Sequence, residues 1–391
     1  MSFGPAARSR LTSTPSLAAL TAGLLVAAYA GSARAQATCT GSASPCVNSD
    51  ALWSSPGPSR FAHVSATETT NPGDLAIGVV TSYQSRPLVL RTASPGPGAT
   101  GTDSYAVDNQ VTANFLWQYG ITQRLAFDAA LPITLGQSGD GLSALSGGSG
   151  LKFTAIRDFR FGLALAIVPR ERTDLETSQK RGGPGNAYAL TLRLGTSAPI
   201  GDKAELASER TAVFLPSLAG DYRIGRVVVG AEVGARIRPT TDMLGARIGT
   251  QLLTAVGVGV DVLPRELLSF GLEARALANL AEQADVTRSA SGLVSTPNGR
   301  YIFPAEWMLS ARSAPLPSGD FTLFFGGGGG LTQDTATVPR FRFVLGVTYA
   351  PRGRDSDGDG ILDRLDPCPH EPARGEPRDG CDHEKGNEAR P

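Results

Sequence analysis

Residues 227–238 read Val-Val-Val-Gly-Ala-Glu-Val-Gly-Ala-Arg-Ile-Arg. Val227, Val229, Ala231, Val233, Ala235 and Ile237 form one alternate set, and Gly230, Glu232, Gly234, Arg236 and Arg238 the other. A period of two belongs to a β-strand, whose successive side chains point to opposite faces. The same pattern recurs from about Leu75 to Tyr349. Val111, Ala113, Phe115, Trp117 and Tyr119 alternate with Thr112, Asn114, Leu116 and Gln118. Leu125, Phe127, Ala129, Leu131, Ile133 and Leu135 make another apolar face, and Phe159, Phe161, Leu163, Leu165 and Ile167 a third. Val256, Val258, Val260 and Val262 oppose Gly257, Gly259 and Asp261. Ala305, Trp307, Leu309 and Ala311 oppose Glu306, Ser310 and Arg312. Phe341, Phe343, Leu345, Val347 and Tyr349 oppose Arg340, Arg342 and Thr348.

These runs last about 9–15 residues, against the ~5–6 of a typical soluble strand. They match the ~9–11 residues that a tilted strand needs to cross a bilayer. Turns such as Gly120-Ile121-Thr122 and Arg223-Ile224-Gly225 are tight, whereas 170–186, 239–245 and 281–302 are long and polar. Short turns at one end and long loops at the other characterise outer-membrane barrels. In lipid every backbone N–H and C=O must be paired internally, and among sheets only a closed one achieves that. Trp117, Tyr119, Tyr222 and Tyr349 fall near run ends, where an interfacial aromatic girdle belongs. The pattern predicts an all-β fold, an antiparallel transmembrane β-barrel over residues 73–351. The expected count is about 12 strands, with 10–14 compatible. Up/down parity fails by one between Gly136 and Thr211: either one run there does not span, or a strand near 201–209 is hidden. Pro87, Leu88 and Leu90 extend the first run or sit at its rim. A secreted soluble β-protein would alternate too and is the competing fold.

With the apolar sets facing lipid, the interior receives Asn114, Gln118, Asp128, Arg193, Glu232, Arg236, Asp261, Glu273, Arg275, Glu306, Arg312 and Arg342. Both signs are present. They either form a constriction that filters polar solutes by size and charge, or pair with one another and fill a closed interior.

Composition agrees with an exported, non-enzymatic chain. Of 391 residues 18% are charged and 41% hydrophobic, against about 25% and 45–50% in soluble domains. Formal net charge is zero, which disfavours a nucleic-acid binder driven by phosphate neutralisation. His63, His370 and His383 are the three histidines, and none lies on a barrel run. Hydrolase chemistry needs a base beside its nucleophile, so catalytic residues are expected to be absent.

Arg8 and Arg10 precede an apolar stretch from Leu17 to Ala30, followed by Ala33-Arg34-Ala35. This is the layout of a secretory signal peptide spanning 1–35. Its apolar core is too short for the ~20 residues of a membrane-spanning helix. Residues 36–72 read as an irregular periplasmic or plugging segment. Cysteines come as two short-range pairs, Cys39/Cys46 and Cys368/Cys381. Export permits disulfides, and the spacing suggests two local loops. Zinc is the alternative, but neither pair has C-x-x-C spacing.

The alternation stops at Arg354. Residues 352–391 carry 7 basic and 11 acidic residues. With Asp355 as position 1 of a calcium loop, Asp357 and Asp359 fall at 3 and 5, Gly360 at 6, Ile361 at 7, Asp363 at 9 and Asp366 at 12. This is the EF-hand ligand scheme with Asp in place of Glu at the last position. Calcium takes about 6–8 hard oxygens, and this register supplies them around one turn. No amphipathic helices flank the loop. Asp355 to Pro369, followed by Gly380-Cys381, resembles a thrombospondin type 3 repeat. The resemblance implies Ca²⁺ ligands at Asp355, Asp357, Asp359, Ile361, Asp363 and Asp366, and a disulfide between Cys368 and Cys381. An exported barrel followed by such a repeat resembles the OmpA-like outer-membrane proteins of Gram-negative bacteria. The resemblance implies outer-membrane lipid as surroundings and a periplasmic or cell-wall partner reached through a periplasmic tail. The sequence ends 10 residues after Cys381, so a peptidoglycan-binding domain is not expected to follow. The expectation is therefore a small pore or structural membrane protein with a calcium-stabilised tail; the alternative is a secreted β-protein using calcium for adhesion.

Overall fold

The computed structural model describes residues 39, 43–91, 103–143, 150–170, 187–289, 292–316, 318–332, 337–354, 356–357, 363 and 366–371. In chain order the strands are β1 (Leu75–Arg91), β2 (Asp103–Gly120), β3 (Leu125–Ser138), the short β4 (Ala155–Ile156), β5 (Phe159–Val168), β6 (Tyr188–Ala198), β7 (Phe214–Ile224) and β8 (Val227–Arg236). They continue as β9 (Thr241–Met243), β10 (Ala246–Ile248), β11 (Gln251–Asp261), β12 (Ser269–Asn279), β13 (Ala284–Ser289), β14 (Gly292–Pro297), β15 (Ala305–Ser313), β16 (Phe321–Gly330) and β17 (Phe341–Tyr349).

Twelve of these close on themselves. Every neighbouring pair in the series β1-β2-β3-β5-β6-β7-β8-β11-β12-β15-β16-β17 is antiparallel, and β17 returns to β1 through Ile77↔Tyr349 to Ser85↔Phe341. The expected twelve-stranded antiparallel barrel is the observed one. β9–β10 and β13–β14 are two-stranded hairpins outside the wall.

The wall is inverted relative to a water-soluble protein. Along β11 burial alternates without a break: Gln251, Leu253, Ala255, Gly257, Gly259 and Asp261 are buried, while Leu252, Thr254, Val256, Val258 and Val260 are exposed. Phe270, Leu272, Leu309, Phe325 and Leu345 are likewise more than half exposed. A continuous apolar exterior of this kind marks a surface meant for lipid. A secreted soluble barrel would place these residues inside.

Strand direction assigns the connections to two ends. Gly120 to Leu125, Ile224 to Val227, Asp261 to Ser269 and Ser313 to Phe321 are short and share one end, where β1 begins and β17 stops. Tyr119, Tyr188, Tyr222 and Tyr349 face outward around this rim, as an interfacial girdle requires. The β1–β2, β3–β5, β6–β7, β8–β11, β12–β15 and β16–β17 connections share the other end.

Two sequence expectations change here. Residues 170–186 do not belong with the long-loop end: β5 finishes and β6 begins at the short-turn end. That placement repairs the parity. The hidden strand near 201–209 does not exist; Lys203–Glu205 is a 3₁₀ turn, and 199–213 crosses the long-loop end. Leu88 and Leu90 do extend β1, but a register shift between Ser85 and Leu88 interrupts its pairing with β2. Both side chains turn inward and are fully buried.

Candidate functional site

The interior holds the residues that alternation placed there. Asn114, Gln118, Asp128, Arg193, Glu232, Arg236, Asp261, Glu273, Arg275, Glu306, Arg312 and Arg342 are all buried. They do not pair only with one another. Residues 43–72 run through the lumen and occupy it, the plugging alternative for that segment.

The path is fixed at both ends. Ala43 bridges Met243 on β9 and Ser44 N–H donates to the Asp242 carbonyl (3.0 Å), at the long-loop end. Pro72 bridges Gly120, and Gly73 N–H donates to the Gly120 carbonyl (2.7 Å), at the short-turn end. Between these points the segment forms no strand. A chain buried without a ladder must still satisfy its backbone donors and acceptors. The lumen side chains do this. Arg236 and Arg275 donate to the Ala51 carbonyl (2.7 and 2.9 Å), and Arg193 to the Ala66 carbonyl (2.8 Å). Thr191 Oγ1 donates to the Thr67 carbonyl (2.6 Å). In the other direction Glu273 Oε2 accepts from Ala62 and His63 N–H (2.8 and 2.7 Å), Glu232 from Ser65 N–H (2.7 Å), and Gln118 Oε1 from Thr70 N–H (2.9 Å). Mixed charge in the lumen thus has a local cause: guanidiniums serve carbonyls, carboxylates serve amides.

Shape matches as well. Phe61 sits against Gly230 of β8 and Gly257 of β11; a Cβ at either position would come within 2.8–2.9 Å of its ring. Alternation marked both glycines as inward, but their reason lies on a segment some 170–200 residues away. Phe61 also packs with Val64, Val228 and Ala255. At the long-loop mouth, Val47 of the plug packs with Leu88, Leu90, Val107, Leu206, Met243 and Ile248 in an apolar cluster.

Ion pairs lock the remainder. Arg342 donates to Glu306 Oε2 (2.9 Å), to Asp50 Oδ1 (3.0 Å) and to Ser82 Oγ (3.0 Å); Arg275 also reaches Glu306 (3.0 Å). At the short-turn mouth Glu266 accepts from Arg312 (2.8 Å) and Arg223 (2.9 Å) and pairs with Arg352 and Arg60. Arg60 also pairs with Asp261. Burial alone would raise the Glu266 pKa, but these four arginines outweigh it and hold the carboxyl well below its ordinary value.

Of the three histidines, His383 lies outside the described residues. His63 is buried in the plug with neither ring nitrogen hydrogen-bonded, and His370 is exposed in the tail.

Of the calcium-loop residues, Asp355, Asp359 and Ile361 lie outside the described residues. Asp357, Asp363 and Asp366 are described. Asp363 accepts from Ser356 N–H and Oγ (both 2.7 Å) and donates its own N–H to the Arg354 carbonyl (2.8 Å). Asp366 is 6% exposed; Oδ1 accepts from Cys368 N–H (2.8 Å), and Oδ2 is buried with no hydrogen bond. A buried bare carboxylate oxygen fits a cation ligand. Among the described residues no group of three or more metal-ligating side chains is assembled. Cys39–Cys46 is a disulfide, and Cys368 is disulfide-bonded; Cys381 lies outside the described residues.

No family model matches the sequence, and no curated protein does. Solved structures with a similar fold include an outer membrane channel from Pseudomonas putida F1, with 15% identity over 75% of this chain and 99% of that one, TM-score 0.48. The NanC porin matches with 9% identity over 70% of this chain and 98% of its own, TM-score 0.40. A deletion mutant of the TodX monoaromatic hydrocarbon channel matches with 10% identity over 76% and 99%, TM-score 0.38.

Proposed function

We propose that this chain is an outer-membrane channel whose lumen is closed by its own N-terminal segment, with a periplasmic tail ordered by calcium. One observation carries the channel reading. Apart from the Pro72–Gly120 bridge at its end, the segment 43–72 is tied to the wall chiefly by side chains and adds no strand to the ladder that closes it. The wall is complete without them, so the segment can shift while the barrel stands. What its displacement would leave is a polar lumen lined by arginines and carboxylates, suited to small hydrophilic solutes. The inverted exterior supports the membrane setting and disfavours the secreted adhesion protein.

Both chain ends of the barrel, with the tail after Tyr349, lie at the short-turn end, the periplasmic side in barrels of this type. Arg352 docks the start of the tail there: its N–H donates to Asp320 Oδ1 (2.7 Å) and its guanidinium to the Gly319 carbonyl (3.2 Å). Asp355, Asp357, Asp359, Asp363 and Asp366 would hold Ca²⁺ through carboxylates and Ile361 through its carbonyl. The ion would neutralise a cluster that otherwise repels itself. The ordered tail then offers a dock for a periplasmic or cell-wall partner.

Planar-bilayer recording tests the channel. The mature chain should give small or infrequent conductance steps, and a variant lacking residues 43–60 larger, steady ones. Silence from that variant, inserted and still heat-modifiable on gels, would leave the barrel a structural role.

A further inference from the structure

The plug does not neutralise every charge it buries. Arg160 on β5 and Arg236 at the end of β8 are 8% and 4% exposed. Arg160 donates through Nη2 to Asn114 Oδ1 (2.7 Å), and Arg236 through Nη2 to the Ala51 carbonyl (2.7 Å). Neither makes an ion pair among the described residues, and each leaves its Nε without a partner. Both instead address the ring of Trp53, with Cζ 5.2 and 4.8 Å from its centroid. A cation–π contact returns less than removing a guanidinium from water costs. Two buried guanidiniums therefore lack a contact ion pair: of the nearby carboxylates, Asp50 is taken by Arg342 and Glu209 by Arg238, and Asp158 accepts from Ser208 and two backbone amides.

Beside them lies a cavity of about 70 Å³, several times what one water needs, lined by Trp53, Ser54, Arg160, Arg193 and Asp128 among others. The one lining carboxylate is already engaged: Asp128 pairs with Arg193 and accepts from Gln118 Nε2 (2.8 Å). Ser54 Oγ, buried on the same cavity, has no hydrogen-bond partner. Unused donors, guanidiniums without an ion pair and space thus coincide at one point of the lumen.

We propose that this cavity is a binding site for a small anion, a halide or a short carboxylate. The Arg160 guanidinium and the Ser54 hydroxyl hold it beside Trp53, and Arg236 supplies further positive field. The site needs the plug in place, because Trp53 and Ser54 belong to it. It does not require the barrel to conduct, so a silent bilayer leaves it standing.

Bromide serves as the probe. In refolded mature chain carrying Trp117→Phe and Trp307→Phe, Trp53 is the sole tryptophan, and under excitation selective for tryptophan bromide should quench it along a saturating curve. Arg160→Gln should weaken the apparent affinity by roughly tenfold or more, the factor for one charge-assisted hydrogen bond. Ser54→Ala, which keeps every charge, should weaken it several-fold and covers the case in which Arg160→Gln disturbs plug folding. Bromide anomalous density beside Trp53 in crystals of the folded barrel gives the location. Strictly linear quenching without anomalous density would mean that water alone fills the cavity and would overturn the proposal. Saturable quenching unchanged by either substitution would overturn it as well.

Discussion

Arg342 shows how one side chain can join wall to plug. It spans Glu306 on β15, Ser82 on β1 and Asp50 on the threaded segment, while being 1% exposed. Removing one member of a buried ion-pair network leaves uncompensated charge, at a cost of about 3–5 kcal/mol. Arg342→Met should lower the urea midpoint of the folded barrel accordingly, read by the loss of heat-modifiable migration. Glu266 yields a pH prediction of definite sign. Its folded pKa lies below the ordinary 4.5, so its contribution is present above that value. It is lost as pH falls through the folded pKa. Stability of the wild-type barrel should decline on acidification below about pH 4.5. Glu266→Gln, less stable at neutral pH, should lack that part of the acid loss.

Among elements, the threaded segment is the unusual one. Its backbone is satisfied by side chains on four strands, β2, β6, β8 and β12, an arrangement that depends on the wall being in place. Inward glycines make room for its Phe61. Gly257→Val would overfill the slot that holds Phe61, and overpacking costs about 1–3 kcal/mol. Because Phe61 is on the plug, the plug should yield before the wall does. Limited proteolysis should cleave residues 43–72 faster in Gly257→Val, with heat-modifiability retained; equal loss of both would mean that plug and wall unfold together. The tail is a separate element. Terbium luminescence, with calcium competing, should report binding by the intact chain, and Asp357→Asn with Asp366→Asn should abolish it.

At the scale of the whole molecule, orientation is the issue. The tyrosine rim, short turns and both barrel termini share one end; on the proposed reading that end is periplasmic, and the start of the threaded segment then faces the cell surface. Cysteine placed at Arg300, in the exposed loop after β14, should react with a membrane-impermeant maleimide on intact cells. Cysteine at Arg354 should react only after permeabilisation. The reverse pattern would invert the topology and with it the placement of the tail.

The wall was legible in the sequence because its physics is local. Burial on a strand follows a period of two, and each strand such as Val227–Arg236 or Phe341–Tyr349 displays that period within ten residues. All twelve residues that the alternation placed inside are buried there, though Arg160, Thr191 and Ser82 of the same face were not named, and counting runs led to twelve strands. The ambiguous stretch, Gly136 to Thr211, was the one where turn length misled: residue number says how long 170–186 is, not which end it joins. The use of the interior was not legible. Nothing near Glu273 or Arg193 indicates that their partners are amides and carbonyls of residues 62, 63 and 66. Nor does anything near Gly257 announce Phe61. Those contacts join positions more than a hundred residues apart and follow no period. They exist only because closing the sheet brings every inward side chain to a common axis, where a chain without a ladder must find its hydrogen bonds. Sequence alone determined an inverted, closed β-wall; tertiary structure alone decided that the wall is filled, by which segment, and which guanidiniums it leaves without an ion pair.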